Sequence, residues 1–89
     1  VSAAHGAAVR DETGRTYSSA GVTLGDVSLN AVLLAVAQAK SSGAQGLEAV
    51  ATIGQPIDTD LAAIRALGGA GIPIFVLSAA GEVIATVHS

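Results

Sequence analysis

The sequence predicts an α/β domain on a mixed five-stranded sheet, its elements running β-β-α-β-α-β-β. Three observations predict it. Residues 26–40 place Leu29, Val32, Leu33 and Val36 at i, i+3, i+4 and i+7, one stripe of a 3.6-period helix. Leu47 to Ile53, LEAVATI, is an almost unbroken apolar run, as expected of a strand buried on both faces. Residues 72–77 and 82–87 are two further apolar runs, separated by too few residues for anything but a hairpin. A helix between the strands at 47–53 and 72–77 implies a parallel crossover. A helix preceding Val1 would complete a three-layer α/β/α sandwich, and a chain that begins at Val1 rather than Met leaves room for one.

The remaining elements follow from local signals. Residues 2–9 are small and apolar, with Gly6 inside, and read as a strand that another element approaches closely. Arg10-Asp11-Glu12-Thr13-Gly14 is a turn, and residues 15–22 return as the second strand of a hairpin. Asp26 is the expected cap of the first helix, and Gly43 its left-handed stop. The second helix covers 58–67, with Asp58 at its cap and Asp60 complementing the helix dipole. Leu61, Ile64 and Leu67 form its stripe, and Gly68-Gly69 end it.

Composition narrows the function. Eighty-nine residues make a single domain, 1–89, without internal repeat or linker. Hydrophobic residues are 51% of the chain and charged residues 12%, against a usual charged share of about 25%. A domain this small buries a limited fraction of its surface, so the excess apolar area implies a partner surface, most simply a second copy. A net charge of −3, with one Tyr and one Phe, argues against nucleic acid and anionic membrane. The absence of Cys removes disulfides and thiolate metal sites. No apolar run reaches the roughly 18 residues of a membrane span, and residues 1–9 lack a secretory pattern, so the expected location is cytoplasmic.

Individual motifs have plain readings. Gly68-Gly69-Ala70-Gly71 follows a helix and precedes a strand, the reverse of a phosphate loop, and reads as a helix stop. Asp58 and Asp60 are two carboxylates without further oxygen ligands, which capping explains. His5 and His88 sit in the first and last strands, with no second ligand spaced to share a metal. Ser28 lacks a base or a nucleophile elbow.

Taken in order, the landmarks resemble the cytidine deaminase family from Ala3 to Val87. GAAVRDETGRTY resembles its first hairpin, and the first helix stands where the family has H/C-A-E. PIDTDLAAIRALG stands at P-C-x-x-C and its helix, and IPIFVLSAAGEVIATV resembles the paired last strands. The family's usual N-terminal helix is absent from this chain.

The resemblance implies zinc-dependent deamination, with three protein ligands and a proton-shuttling Glu. Carried across, Ser28-Leu29-Asn30 takes the H/C-A-E positions, so Ser28 stands for the first ligand and Asn30 for the shuttle. Ile57 and Asp60 take the two Cys positions, and the ribose-binding N-x-E falls near Gly21-Val22-Thr23. Ile57 has no donor atom, and Asn30 cannot exchange a proton near neutral pH. The expectation is therefore a zinc-free, catalytically inactive relative without a cofactor, acting as a binding or structural module in a homo-dimer or homo-tetramer. The alternatives are a nucleoside deaminase with a rearranged site and a nucleoside- or nucleotide-binding sensor.

Overall fold

The structure is a computed structural model that describes residues 6–89. The predicted strand over 2–9 falls partly, and His5 wholly, outside the described residues. Strand β1, Gly6–Asp11, turns at Gly14 into β2, Thr16–Ala20. A separate hairpin follows, β3 over Val22–Leu24 and β4 over Val27–Leu29. Then come α1 (Ala31–Ser41), β5 (Leu47–Ile53), α2 (Asp58–Gly68), β6 (Pro73–Leu77) and β7 (Val83–His88).

The main sheet has five strands in the order β2-β1-β5-β6-β7. Only β5 and β6 are parallel, joined through α2 as the crossover requires. The other neighbours are antiparallel.

Alternation along the strands defines the buried face. Ala7 and Val9 of β1, Val50 and Thr52 of β5, and Ile74 and Val76 of β6 stand in register across the sheet and are buried. Against them lie Val32, Ala35, Val36 and Ala39 of α1 and Ile64 of α2. The alanines let α1 approach the sheet closely, and Ile64 and Ile74 are fully enclosed. The opposite face carries Ala8, Ala51 and Phe75, in register with one another. No helix covers that face among the described residues, so these residues supply two layers of the expected three.

Two loops are fixed by carboxylates. Asp11 is buried at the end of β1, where its Oδ1 accepts the amides of Thr13 and Arg15, each at 2.9 Å, and the Thr13 hydroxyl at 2.7 Å. Its Oδ2 accepts the Tyr17 hydroxyl at 3.3 Å. Burial pushes the Asp11 carboxyl up. The donors from Thr13, Arg15 and Tyr17 outweigh that and hold it below the ordinary aspartate range. Glu12 accepts the backbone N–H of Gln45 at 3.0 Å and of Gly46 at 3.2 Å, which ties the first turn to the loop before β5.

The main departure from the sequence reading is the start of α1. The helix begins at Ala31 and not at residue 26, and Asp26 lies in the turn of the β3–β4 hairpin instead of capping a helix. Gly25 takes a positive φ of 59° in that turn. Val27 and Leu29 alternate with Ser28 as a strand requires, and this two-residue period competes with the helical stripe over the same few positions. The second hairpin strand ends at Ala20 where 22 was expected, and Arg10 and Asp11 belong to β1 rather than to the turn.

Candidate functional site

The pocket at the carboxyl end of β5 lies between the first turns of α1 and α2. Parallel strands place their carboxyl ends, and the amino ends of the following helices, at one edge of the sheet, where ligand sites collect. The cavity is about 210 Å³ and is lined by Gly21, Asn30, Ala31, Val32, Thr52, Ile53, Gln55, Ile57 and Asp60.

The two helix starts meet here in different ways. Ile57 is the N-cap residue of α2, in extended conformation, and its side chain is 53% exposed at the pocket. Asp60, 4% exposed, reaches back so that its Oδ2 accepts the Ile57 backbone N–H at 3.0 Å. That is one half of a capping box; the isoleucine side chain has no oxygen to supply the other half. Asn30 is the N-cap residue of α1 and makes no side-chain capping bond. Its Nδ2 instead lies 3.5 Å from Asp60 Oδ1, a long contact across the pocket floor. Thr52, buried at the end of β5, supplies a further polar wall group.

Of the residues singled out in the sequence, Asn30, Ile57 and Asp60 converge on this pocket. Ser28 does not. It sits on the exposed strand β4, two residues before the helix cap, and does not line the cavity. His88 is on β7, at the edge of the sheet, and takes no part in this cavity.

A cytidine deaminase-like family model matches residues 1–81. The chain belongs to the cytidine deaminase-like family. Among solved structures, this cytidine deaminase-like chain is similar to a mutant cytidine deaminase from Mycobacterium tuberculosis, at 23% identity and a TM-score of 0.72. That match covers 78% of this chain and 63% of the other, so the chain spans less than two thirds of that protein. It is also similar to cytidine deaminase from Mycobacterium leprae, at 18% identity and a TM-score of 0.75, covering 93% of this chain and 71% of that one. At these identities the likeness shows the fold. A search of curated protein sequences finds no match.

The family chemistry calls for zinc, and the donor set here does not fit it. The cavity offers one carboxylate, Asp60, whose Oδ2 is engaged with the α2 backbone, and the neutral groups of Asn30, Thr52 and Gln55. Zinc sites use thiolate, imidazole and carboxylate donors, and a carboxamide and a hydroxyl do not replace them. Among the described residues no three His, Cys, Asp or Glu side chains come together to hold a metal.

Sequence reasoning missed Thr52 and Gln55 as wall residues. A signal for Thr52 was present: it is the last inward-facing position of an otherwise apolar strand, at the carboxyl end where sites form. Gly21, which the resemblance placed near the ribose-contact position, comes from the break between β2 and β3.

Away from this pocket, Leu33, Val36, Ala37 and Lys40 of α1 and Ala63, Ala66 and Leu67 of α2 line an open groove of about 270 Å³. No helix among the described residues is long and apolar enough to cross a membrane.

Proposed function

We propose that this chain is a zinc-free, catalytically inactive member of the cytidine deaminase-like family that works as an oligomeric binding or structural module. The observation that carries the reading is Ile57. It stands at the pocket wall beside Asn30 and Asp60, where the family resemblance calls for a thiolate ligand, and it has no donor atom. The start of α1 at Ala31 supports a register in which Asn30 takes the first-ligand position in place of Ser28. The shuttle position two residues on is then Val32, a buried apolar side chain that cannot move a proton. In either register the proton-shuttling Glu is replaced.

Two measurements test this. Purified protein is expected to carry far less than one zinc per chain by elemental analysis. It is also expected to leave the ultraviolet absorbance of cytidine unchanged at high enzyme concentration. Stoichiometric zinc together with turnover would overturn the proposal and favour a deaminase with a rearranged site.

The polar wall of Asn30, Thr52, Gln55 and Asp60 supports a second reading, a sensor of small molecules such as nucleosides. The cavity is smaller than the roughly 300–1,000 Å³ of typical ligand pockets, which weighs against a whole nucleoside in this conformation. A rise in melting temperature with cytidine, uridine or their monophosphates supports the sensor, and a flat screen counts against it.

The apolar groove between α1 and α2 supports self-association as a dimer or tetramer, as do the high hydrophobic and low charged content. Light scattering of wild type against Ala63→Asp is expected to show the oligomer weakened by the charge. A strict monomer at micromolar concentration contradicts it. The same composition is consistent with a cytoplasmic protein.

A further inference from the structure

The residues that line the cavity at the two helix starts bring one charge and no counter-charge. Asp60 is 4% exposed, and none of the lining residues is basic. A buried carboxylate is costly unless its oxygens find donors. Oδ2 accepts the Ile57 amide at 3.0 Å. Among the described residues, Oδ1 has only the Asn30 Nδ2 contact at 3.5 Å, longer than the usual N–H···O distance of about 2.7–3.2 Å.

Thr52 is an independent sign of the same kind. It faces inward from β5 and is 5% exposed, yet its hydroxyl has no hydrogen-bond partner among the described residues. No enclosed side-chain polar atom among those residues is left unpaired, so this hydroxyl opens onto the cavity it lines. Buried polar groups nearly always carry partners, and these two oxygens therefore point to a donor that enters the cavity. The wall beside them is apolar, formed by Val32, Ile53 and the largely exposed Ile57. At about 210 Å³ the cavity is smaller than the roughly 300–1,000 Å³ of drug-sized sites, which restricts its occupant to a few heavy atoms.

We infer that this cavity binds a small primary amine in its ammonium form. The ammonium donates to Asp60 Oδ1 and Thr52 Oγ1, and a short alkyl chain lies along Ile53 and Ile57. An ammonium brings three N–H donors and the missing positive charge, and its bond to the carboxylate is charge-assisted. An anion such as phosphate would instead be repelled by Asp60. The inference rests on the reading of this chain as a binding module and uses neither zinc nor turnover.

Heteronuclear NMR of isotope-labelled protein, titrated with propylammonium chloride in phosphate buffer, tests it. Saturable shifts are expected at the backbone amides of Ile57 and Asp60 and at the Asn30 side chain. Tetramethylammonium has the charge without an N–H, and propanol has the chain without the charge. Each is expected to bind at least about ten times more weakly. Asp60→Asn keeps an oxygen for the Ile57 amide and removes the charge, and is expected to weaken binding at least about tenfold. Thr52→Val, nearly the same in shape, is expected to weaken it about threefold, and the spectrum of each variant shows whether it is folded. Should Asp60→Asn not fold, Thr52→Val and the tetramethylammonium comparison decide. Shifts that do not saturate would mean that the cavity holds only water and would overturn the inference. Equal binding of propylammonium and tetramethylammonium, or undiminished binding in the folded variants, would overturn it as well. A response to cytidine with none to propylammonium also overturns it, while leaving the sensor reading in place. Elemental analysis of the same sample reads the zinc-free proposal separately, so the two can fail independently.

Discussion

The starts of α1 and α2 face the same pocket and are built differently. The first turn of α2 holds Asp58 and Asp60, and the Asp60 carboxylate closes on the Ile57 amide. The first turn of α1 holds no acidic residue, and its cap residue, Asn30, does not cap. Carboxylates at a helix start offset the dipole and satisfy free amides, so α2 is internally completed. Among the described residues, the cap residue of α1 offers its opening amides no side-chain acceptor. One helix start is closed by its own carboxylate and the other has no side-chain cap.

Substitutions can break that contrast. Asp60→Ala is expected to have the largest effect, a loss of about 2 kcal/mol in urea denaturation, because the part-buried bond from the Ile57 amide to this buried carboxylate is lost. A loss within error would mean that α2 is not held at its start. At the other end of the same helix, a Cβ on Gly68 would stand 2.9 Å from Leu47 Cβ and 3.1 Å from Ile72 Cγ1. Gly68→Ala is expected to destabilise by roughly 1–2 kcal/mol through overpacking, also read from urea curves. A neutral or stabilising result would show that β5 gives way there.

Asp11 supplies a pH-dependent contrast with these helix ends. Its carboxyl is held below its unfolded range, so its contribution to stability is complete above roughly pH 3.9 and is lost as the pH falls through the folded value. The acid limb of the melting temperature is expected to be steeper in wild type than in Asp11→Asn, and parallel limbs would contradict this. The smallest effect belongs to Asn30→Ala, below about 0.5 kcal/mol, because there is no capping bond to lose where a working cap contributes about 1. A larger loss would mean that Asn30 completes α1 after all and would remove the contrast between the two starts.

Much of the fold was legible because long periodic segments leave little choice. The run at 47–53, the stripe of Leu61, Ile64 and Leu67, and the turn at 79–81 each allow one reading, and the strands and helix form there. Residues 22–30 allow two. Leu29 belongs both to a helical stripe with Val32 and Val36 and to a strand alternation with Val27. Only the pairing of Val22 with Leu29 decides between them, and that pairing spans too few residues to stand out. The site inherited the same ambiguity. Asn30, Ile57 and Asp60 were found because a family resemblance pointed to the two helix starts. Ser28 was included because α1 was expected to begin earlier. Glu12 could not be foreseen as an anchor for Gln45 and Gly46, since nothing local links positions so far apart in sequence.

Asn30, Ile57 and Asp60 are proposed to stand at the family's three ligand positions, in a pocket without the donors for zinc. Zinc bound per chain after equilibrium dialysis tests it directly, with wild type compared against the variant Asn30→Cys, Ile57→Cys, Asp60→Cys. No stoichiometric zinc is expected in wild type and about one ion per chain in the variant, since three thiolates and a water complete a tetrahedral site. One firmly held zinc in wild type, or none in a folded variant, would contradict it.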